Sequence, residues 1–307
     1  MPPGRCLLIV NPAARHGVSA KLLPAIREIA EGLLDFEEHV TSSPEEARAV
    51  AREAAGFETL VAVGGDGTVH EVLNGLMDRP AEDRPALGLL PTGSGNDYRR
   101  TLGVSNDLST AVRQLASGER RHLDVGVLRL DGEPPCGRYF ANSVGIGLDA
   151  RVAAKAVELK LTRGWSGLTL YFRALMFVLL RQFYGHRVRL TFDDGPAEAR
   201  SMLLLALSHG PTYGGGFFIN PDAVPDDGLL DVCLIDAVSL PQALWRLPFV
   251  VAGRHRWMRP MHMSRHRRVG LVSDVPVEGQ VDGEVVLSVA YDIEVLPGAV
   301  EAIVPRR

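Results

Sequence analysis

Cysteine is nearly absent from this chain. Cys6, Cys136 and Cys233 are the only three thiols in 307 residues. They lie too far apart in sequence for a CxxC zinc site or a disulfide framework. An excess of positive charge is also missing, since 33 Lys and Arg face 37 Asp and Glu for a formal charge of −4. That balance excludes a protein that holds nucleic acid through bulk charge. No apolar run is long: Gly167–Leu180 is the longest, carries Arg173, and is too short to span a bilayer comfortably. The first apolar run, Cys6–Val10, stops at Asn11-Pro12, which does not resemble a signal peptide, so a cytoplasmic setting is expected. Internal repeats and low-complexity tracts are lacking as well. With 46% apolar and 23% charged residues the chain is not disordered, and its length suits one large or two ordinary domains.

Strand and helix signals alternate through the first third. Leu7–Val10 reads as a buried strand, Val18–Leu34 as a helix and Phe36–Val40 as a second strand. Ser43-Pro44-Glu45-Glu46 is a helix start, with a cap, a proline in the first turn and acids at the positive end of the helix; this helix is expected to run through Ala55. Leu60–Val63 and Leu87–Leu90 are further buried strands, with helices at Gly67–Met77 and Leu108–Ala116. Such alternation predicts parallel strands covered on both faces.

Near Asp124 the rhythm changes. Val125–Leu130, Tyr139–Ser143, Arg187–Phe192, Ser201–Ser208, Leu230–Asp236 and Val285–Val295 read as strands set apart by Gly, Pro and Asp turns. One helical stretch, about Arg163–Phe183, interrupts them, and the short apolar Ala299–Val304 could return to the first sheet. The expected fold class is α/β: a Rossmann-like nucleotide-binding domain at residues 1–122 with a C-terminal strand at 298–307, and a β-rich, sandwich-type domain at 123–297.

Two glycine turns follow buried strands. Gly64-Gly65-Asp66-Gly67-Thr68-Val69-His70-Glu71 runs from a strand into a helix. Glycines let a backbone approach a phosphate, and the helix start adds about half a positive charge. Asp66 in that turn could meet a metal or a hydroxyl proton. The second turn, Pro91-Thr92-Gly93-Ser94-Gly95-Asn96-Asp97, again offers close approach and hydroxyl ligands. Each also reads as an ordinary tight turn; neither fits GxxxxGK[ST] or GxGxxG. Their shared place, beyond the ends of parallel strands where open α/β sheets bind ligands, makes them a nucleotide-site candidate, together with Asn11–Arg15 and Thr41.

GGDGT at Gly64–Thr68, PTGSGNDY at Pro91–Tyr98 and the leading Asn11-Pro12 resemble the diacylglycerol kinase catalytic family. His122-Leu-Asp124-Val-Gly126, Ser143-Val-Gly-Ile-Gly147, Asn220-Pro221, Asp226-Asp227-Gly228 and Asp282-Gly283-Glu284 extend the resemblance to its bacterial soluble lipid kinases, over essentially the whole chain. GGDG alone is shared with NAD kinases and phosphofructokinases; its combination with GSGND and a distal DGE is specific.

The resemblance implies a set of roles. ATP would lie against Asn11, Pro12, Ala13, Ala14, Arg15, Thr41, Gly65, Asp66, Gly67, Thr68, Val69, His70, Glu71 and Thr92, in a cleft between the domains. Asp66 and Asp97 would be needed for activity, and Asp124 would help hold catalytic Mg²⁺ through water. Glu284 would accept the proton of the lipid hydroxyl. A structural Mg²⁺ would use the Asp227 carboxylate with backbone carbonyls of Val224 and Leu229. Arg15 departs from the family's usual Gly or Lys, His70 from its usual Asn, and Val224 from a Lys. Family likeness also suggests a homodimer.

Pro241–Gly270 holds seven arginines, Arg246, Arg254, Arg256, Arg259, Arg265, Arg267 and Arg268, and no acid, with Trp245 and Trp257 interleaved. A membrane-surface contact and a solvated basic helix face both fit; a nucleic-acid site lacks its usual motifs. The expected function is ATP-dependent phosphorylation of a lipid hydroxyl, with diacylglycerol leading and phosphatidylglycerol or a sphingoid base next. NAD kinase and a catalytically silent lipid-binding protein stand further off.

Overall fold

A computed structural model describes residues 3–134, 136–163, 165 and 167–306. Met1, Pro2 and Arg307 of the expected N-terminal domain, and Gly164 and Ser166 of the expected Arg163–Phe183 helix, lie outside the described residues. The chain forms two compact units, Met1–Val125 with Pro297–Arg307, and Gly126–Leu296.

The first unit is built from β1 (Arg5–Val10), α1 (Ala14–Ala30), β2 (Asp35–Val40), α2 (Pro44–Glu53), β3 (Thr59–Gly64), α3 (Asp66–Met77), β4 (Ala86–Pro91), α4 (Asp97–Leu102) and α5 (Leu108–Ser117). Then follow β5 (Glu119–Leu130), β6 (Arg138–Phe140), β7 (Ser143–Gly147), α6 (Leu148–Arg163), α7 (Gly167–Arg181), β8 (His186–Phe192), β9 (Glu198–Ser208), β10 (Leu230–Asp236), α8 (Leu240–Val251), β11 (Met261–His266), β12 (Arg268–Val281) and β13 (Glu284–Val304). The division falls inside β5 and again inside β13.

In the first unit β1 pairs in parallel with β2 and β3, and β3 with β4. The end of β13 joins this sheet, with Ala302 opposite Leu87 in parallel. Every residue of β3 and β4 is buried, which is why both read as unbroken apolar runs. α1 packs on α5, and α2 on α3, the grouping that right-handed crossovers from a parallel sheet with this strand order would give. Ser43 caps α2 by accepting the Glu46 N–H at 3.3 Å, and Pro44 occupies its first turn.

The second unit is antiparallel. β9 and β12 each pair with β8 at one end and with β7 at the other, so these four strands form a closed circuit. β10 and β11 extend it beyond β9. Along β9 and β10 the side chains alternate between two cores: Leu205, Leu207, Val232 and Leu234 face the strand-lined interior, while Leu204, Ala206, Cys233 and Ile235 face a layer made of α6, α7 and α8.

Several expected elements are corrected. The helix expected at Val18–Leu34 spans Ala14–Ala30, because Gly32 turns left-handed (φ 74°) and ends it early. The helix expected at about Arg163–Phe183 is α7, and a second helix that was not expected, α6, precedes it, following directly on the glycine-rich β7. Tyr139–Ser143 is not one strand but the end of β6 and the start of β7. Pro241–Gly270 holds one helix, α8, followed by two strands that sequence reading missed. In β12 the register breaks between Val272 and Val277, so its alternation is interrupted. Val285–Val295 and Ala299–Val304 are parts of one strand, β13.

Candidate active site

Strand order reverses between β1 and β3: the chain leaves β1 toward β2 and leaves β3 toward β4 on the opposite side. Diverging connections open a crevice beyond the carboxyl ends of these two strands. Asn11 sits there, its backbone N–H donating to Val63 O at 3.1 Å and its Nδ2 to Thr68 Oγ1 at 3.3 Å. Thr41, buried at the end of β2, donates to Val10 O through its N–H at 2.9 Å and its hydroxyl at 3.2 Å. The N–H groups of Thr92 and Gly93 donate to Gly64 O at 2.8 and 3.1 Å, and the Thr92 hydroxyl pairs with that of Ser19 in α1. The expected nucleotide residues Asn11–Arg15, Thr41, Gly65–Glu71 and Thr92 therefore share one sheet edge.

The two glycine turns touch backbone to backbone. A Cβ placed on Gly93 would stand 2.3 Å from the Gly65 Cα, and one on Gly65 would stand 3.1 Å from the Gly93 Cα. Gly65 precedes α3 in extended backbone, and no side chain caps that helix start. The positive end of a helix of 12 residues thus opens onto the turn pair. Asp66 ties the turns together, its Oδ1 accepting the Tyr98 N–H at 3.0 Å. Its Oδ2 lies 3.0 Å, and the Asp97 Oδ2 3.9 Å, from a Cβ built on Gly95, so both carboxylates border that glycine. Asp97 is nearly buried and pairs with Arg100 one turn along α4. Asn96, in left-handed backbone (φ 51°), holds the turn through Nδ2 to Gly93 O at 2.9 Å. Sequence reading missed α4; its one local signal was an Asn ahead of Asp-Tyr, since Asn tolerates this conformation.

Not every residue on this edge presents its side chain to the crevice. Val69 belongs to the core, and His70 is buried on α3 with Nε2 3.4 Å from Asn74 Nδ2. Arg15 is exposed with φ 50°, in the left-handed region where a glycine would be unstrained. Asp124 is buried in β5, and its Oδ1 accepts the Gly298 N–H at 2.8 Å.

Glu284 lies in the second unit, at the start of β13. Val281 pairs with Glu284 across a two-residue turn, Asp282-Gly283, with φ of 46° and 95°. Both values suit the hairpin turn that matches strand twist. Asp282 anchors the hairpin: its carboxylate accepts the N–H groups of Ala141 at 2.8 Å, Asn142 at 3.0 Å and Ser143 at 2.9 Å. Gly283 N–H donates to Gln280 Oε1 at 2.7 Å. Glu284 is thereby fixed at its backbone while its side chain stays half-exposed, 3.9 Å from Arg138 Nη1.

His209 follows β9, fully buried and stacked on Phe140 with 5.4 Å between ring centroids. Burial pushes its imidazole down to about 4, opposed by the charge of Asp282. A depressed histidine contributes stability that is complete above its unfolded value near 6.5 and lost as pH falls toward 4. About 3 kcal/mol rides on a shift of this size. Melting curves should show His209→Gln less sensitive than wild type between pH 6.5 and 4; parallel pH profiles would contradict this.

Residues 5–128 match the model of the diacylglycerol kinase catalytic domain, and residues 142–304 that of the YegS C-terminal NAD kinase beta sandwich-like domain. The chain belongs to the diacylglycerol kinase catalytic family. It is 34% identical over 227 residues to the "Probable lipid kinase YegS-like" of Chromohalobacter salexigens, spanning 72% of this chain and 69% of the relative. The diacylglycerol kinase of Bacillus subtilis is 26% identical over 284 residues, spanning 91% and 89%. A crystal structure of a diacylglycerol kinase from Bacillus anthracis shares the fold with a TM-score of 0.73, at 22% identity, covering 98% of this chain and 97% of that one. An NAD kinase from Archaeoglobus fulgidus, solved with ATP, shares it more distantly, at a TM-score of 0.55 and 14% identity, covering 98% and 94%. At the family level this protein is a lipid kinase, with the expected α/β and β-rich parts.

The turn at Asp226–Leu229 is where the family resemblance implies a structural cation. Asp227 Oδ1 accepts the Leu229 N–H at 3.1 Å, and its Oδ2 lies 3.6 Å from Arg265 Nη1. The Asp231 side chain is nearly buried; its Oδ1 takes the Arg265 Nε at 2.9 Å, while its Oδ2 is buried with no hydrogen-bond partner. Burial above all raises the Asp231 pKa, and Asp227 adds to that rise. No group of three His, Cys, Asp or Glu side chains is placed to hold a metal among the described residues. The cation implied by the resemblance would draw on the backbone carbonyls of Val224 and Leu229 beside the Asp227 carboxylate. Mg²⁺ should raise the melting temperature of wild type, and Asp227→Ala should abolish that rise while Asp124→Ala keeps it. Equal loss in both variants would contradict the assignment.

Among the arginines of Pro241–Gly270, Arg265 and Arg268 lie on β11 and β12, not on a helix, and are ion-paired with Asp231 and Asp292 at 2.9 and 2.7 Å. The backbone N–H of Arg267 donates to Asp193 Oδ1 at 2.7 Å. These three side chains are not the basic helix face that the sequence suggests.

Proposed function

We propose that this lipid kinase transfers the γ-phosphoryl group of ATP to the free hydroxyl of diacylglycerol, giving phosphatidic acid and ADP. The observation that carries it is the backbone contact of the two glycine turns at the open start of α3, beside the carboxylates of Asp66 and Asp97. Phosphoryl transfer is largely positioning and neutralisation of oxygen charge. Backbone N–H groups of the turns and the positive helix end supply both. Mg²⁺, when bound, would neutralise phosphate charge; Asp66, Asp97 and Asp124 are the acids suited to hold it, Asp124 through water. Glu284 takes the hydroxyl proton as the acceptor oxygen bonds to the γ-phosphorus. The bond from that phosphorus to the β–γ bridging oxygen breaks, and ADP leaves with its electron pair.

Diacylglycerol is favoured as acceptor because several relatives that match over most of this chain carry the name diacylglycerol kinase. The test presents diacylglycerol, phosphatidylglycerol, a sphingoid base and NAD together with ATP and Mg²⁺, and identifies the phosphorylated product by mass spectrometry. Phosphatidic acid as the main product supports the reading. Phosphorylation of any other acceptor in its place would overturn it.

A further inference from the structure

The layer formed by α6, α7 and α8 is apolar on both of its faces. Its inner face carries Leu170, Ala174 and Val178 into the core, with Leu244, Leu247 and Val251 packed against it. Its outer face bears Phe172, Phe177 and Leu180 on α7 and Trp245 and Phe249 on α8, all exposed. Of the 16 exposed large hydrophobic side chains among the described residues, seven lie on these three helices, and Tyr184 and Trp257 follow α7 and α8 closely in the chain. Trp257 is 85% exposed, Leu161 80% and Trp245 62%. A helix apolar all round is ordinarily buried, so these outer faces call for a partner.

Charge says which partner. Residues 159–192 and 237–273 contain no acid and carry six and seven Lys or Arg, whereas the remainder of the chain has 20 basic and 37 acidic residues. Aromatic rings and cations alternate on the layer: Arg173 lies 4.0 Å over the Trp165 ring, Lys155 4.0 Å over Phe177, Arg246 5.2 Å over Trp245 and Arg256 4.9 Å over Trp257. A second copy of the chain would set one predominantly cationic face against another across a two-fold axis. Glu158 of α6, paired with Lys155 at 2.6 Å, is the exposed acid on these three helices. An anionic bilayer offers phosphates to the arginines and hydrocarbon to the rings. No helix of the described residues is long and apolar enough to cross a membrane, so α7 and α8 suit the plane of the interface.

We infer that the outer face of α6, α7 and α8 docks on an anionic lipid bilayer, with Trp245, Phe249, Phe172 and Phe177 entering the headgroup boundary and Arg254 and Arg259 meeting phosphates. This rests on the lipid-kinase reading, since a membrane-held acceptor has to be met where it lies.

The test is co-sedimentation of the full chain with phosphatidylcholine vesicles, with and without phosphatidylglycerol. Wild type should bind the anionic vesicles, and binding should fall as salt is raised. Trp245→Ser with Phe249→Ser should weaken that binding at least about tenfold. Arg254→Gln with Arg259→Gln should weaken it several-fold and flatten the salt dependence. Both variants should keep the wild-type melting temperature and wild-type transfer to a dispersed short-chain diacylglycerol. Undiminished vesicle binding by the aromatic variant would overturn the inference. So would a wild-type mass that rises with concentration and is cut by the same substitutions, which would give the face to self-association. Because sedimentation reads docking without turnover, loss of phosphatidic acid formation in every protein, with binding intact, would strike the acceptor reading and leave the docking face standing.

Discussion

Glu284→Gln should lower turnover at least about 10²-fold while leaving ATP affinity nearly unchanged. The substitution keeps the size of the side chain and its hydrogen-bonding reach, and removes only the ability to take a proton. The hairpin should not notice it. Its geometry is set by Val281 opposite Glu284, by Gly283 in left-handed backbone, and by the three N–H groups on Asp282. Because the Glu284 side chain is half-exposed, with Arg138 Nη1 3.9 Å away, neutralising it leaves no buried charge stranded. The melting temperature should therefore stay near that of wild type. Near-normal turnover in the variant, with chemistry shown to limit the rate, would remove Glu284 from the role of base.

Gly93→Ala should cost at least about tenfold in ATP affinity and about 1–3 kcal/mol in stability. The added methyl would meet the Gly65 Cα at 2.3 Å and the Gly65 N at 3.0 Å. Both atoms are backbone at the close of β3, so neither can swing aside as a side-chain tip could. Relief requires the two turns to part, which moves the N–H groups offered to phosphate and strains the bond from Tyr98 N–H to Asp66. Gly67→Ala is the matched comparison, because a Cβ there meets nothing within 4 Å. Thermal melting should separate the pair, with Gly67→Ala within about 1 kcal/mol of wild type. Equal stability of the two variants would mean that the turns are not in contact.

Much of the first unit is legible in the chain because its signals are local. β3 and β4 announce themselves as apolar runs since parallel strands are buried on both faces, and α2 through its Ser43-Pro44 start. The nucleotide-site candidate is legible for the same reason: its glycine turns directly follow those strands. What joins them is not local. The bond from Tyr98 N–H to Asp66 spans 32 residues, and the contact of Gly65 with Gly93 depends on β3 and β4 being neighbours. In the second unit Asp282 reads as a hairpin residue, whereas its larger part is to hold Ala141–Ser143, some 140 residues away. β12 hides behind its own register break. The arginine-rich segment is visible by composition alone, yet its pairing is not: Arg265 and Arg268 are spent on Asp231 and Asp292, and the exposed apolar side chains that matter for docking lie mostly on α7 and α8.

On the proposed function, the paired glycine turns deliver the γ-phosphoryl group of ATP to the hydroxyl of diacylglycerol. The most direct measurement is a single turnover with γ-labelled ATP and diacylglycerol in mixed micelles, following labelled lipid and ADP in the same samples. Label should enter phosphatidic acid in step with ADP, and Asp66→Asn should slow both together. ADP formed without labelled lipid, with the label released as inorganic phosphate, would rule out this transfer.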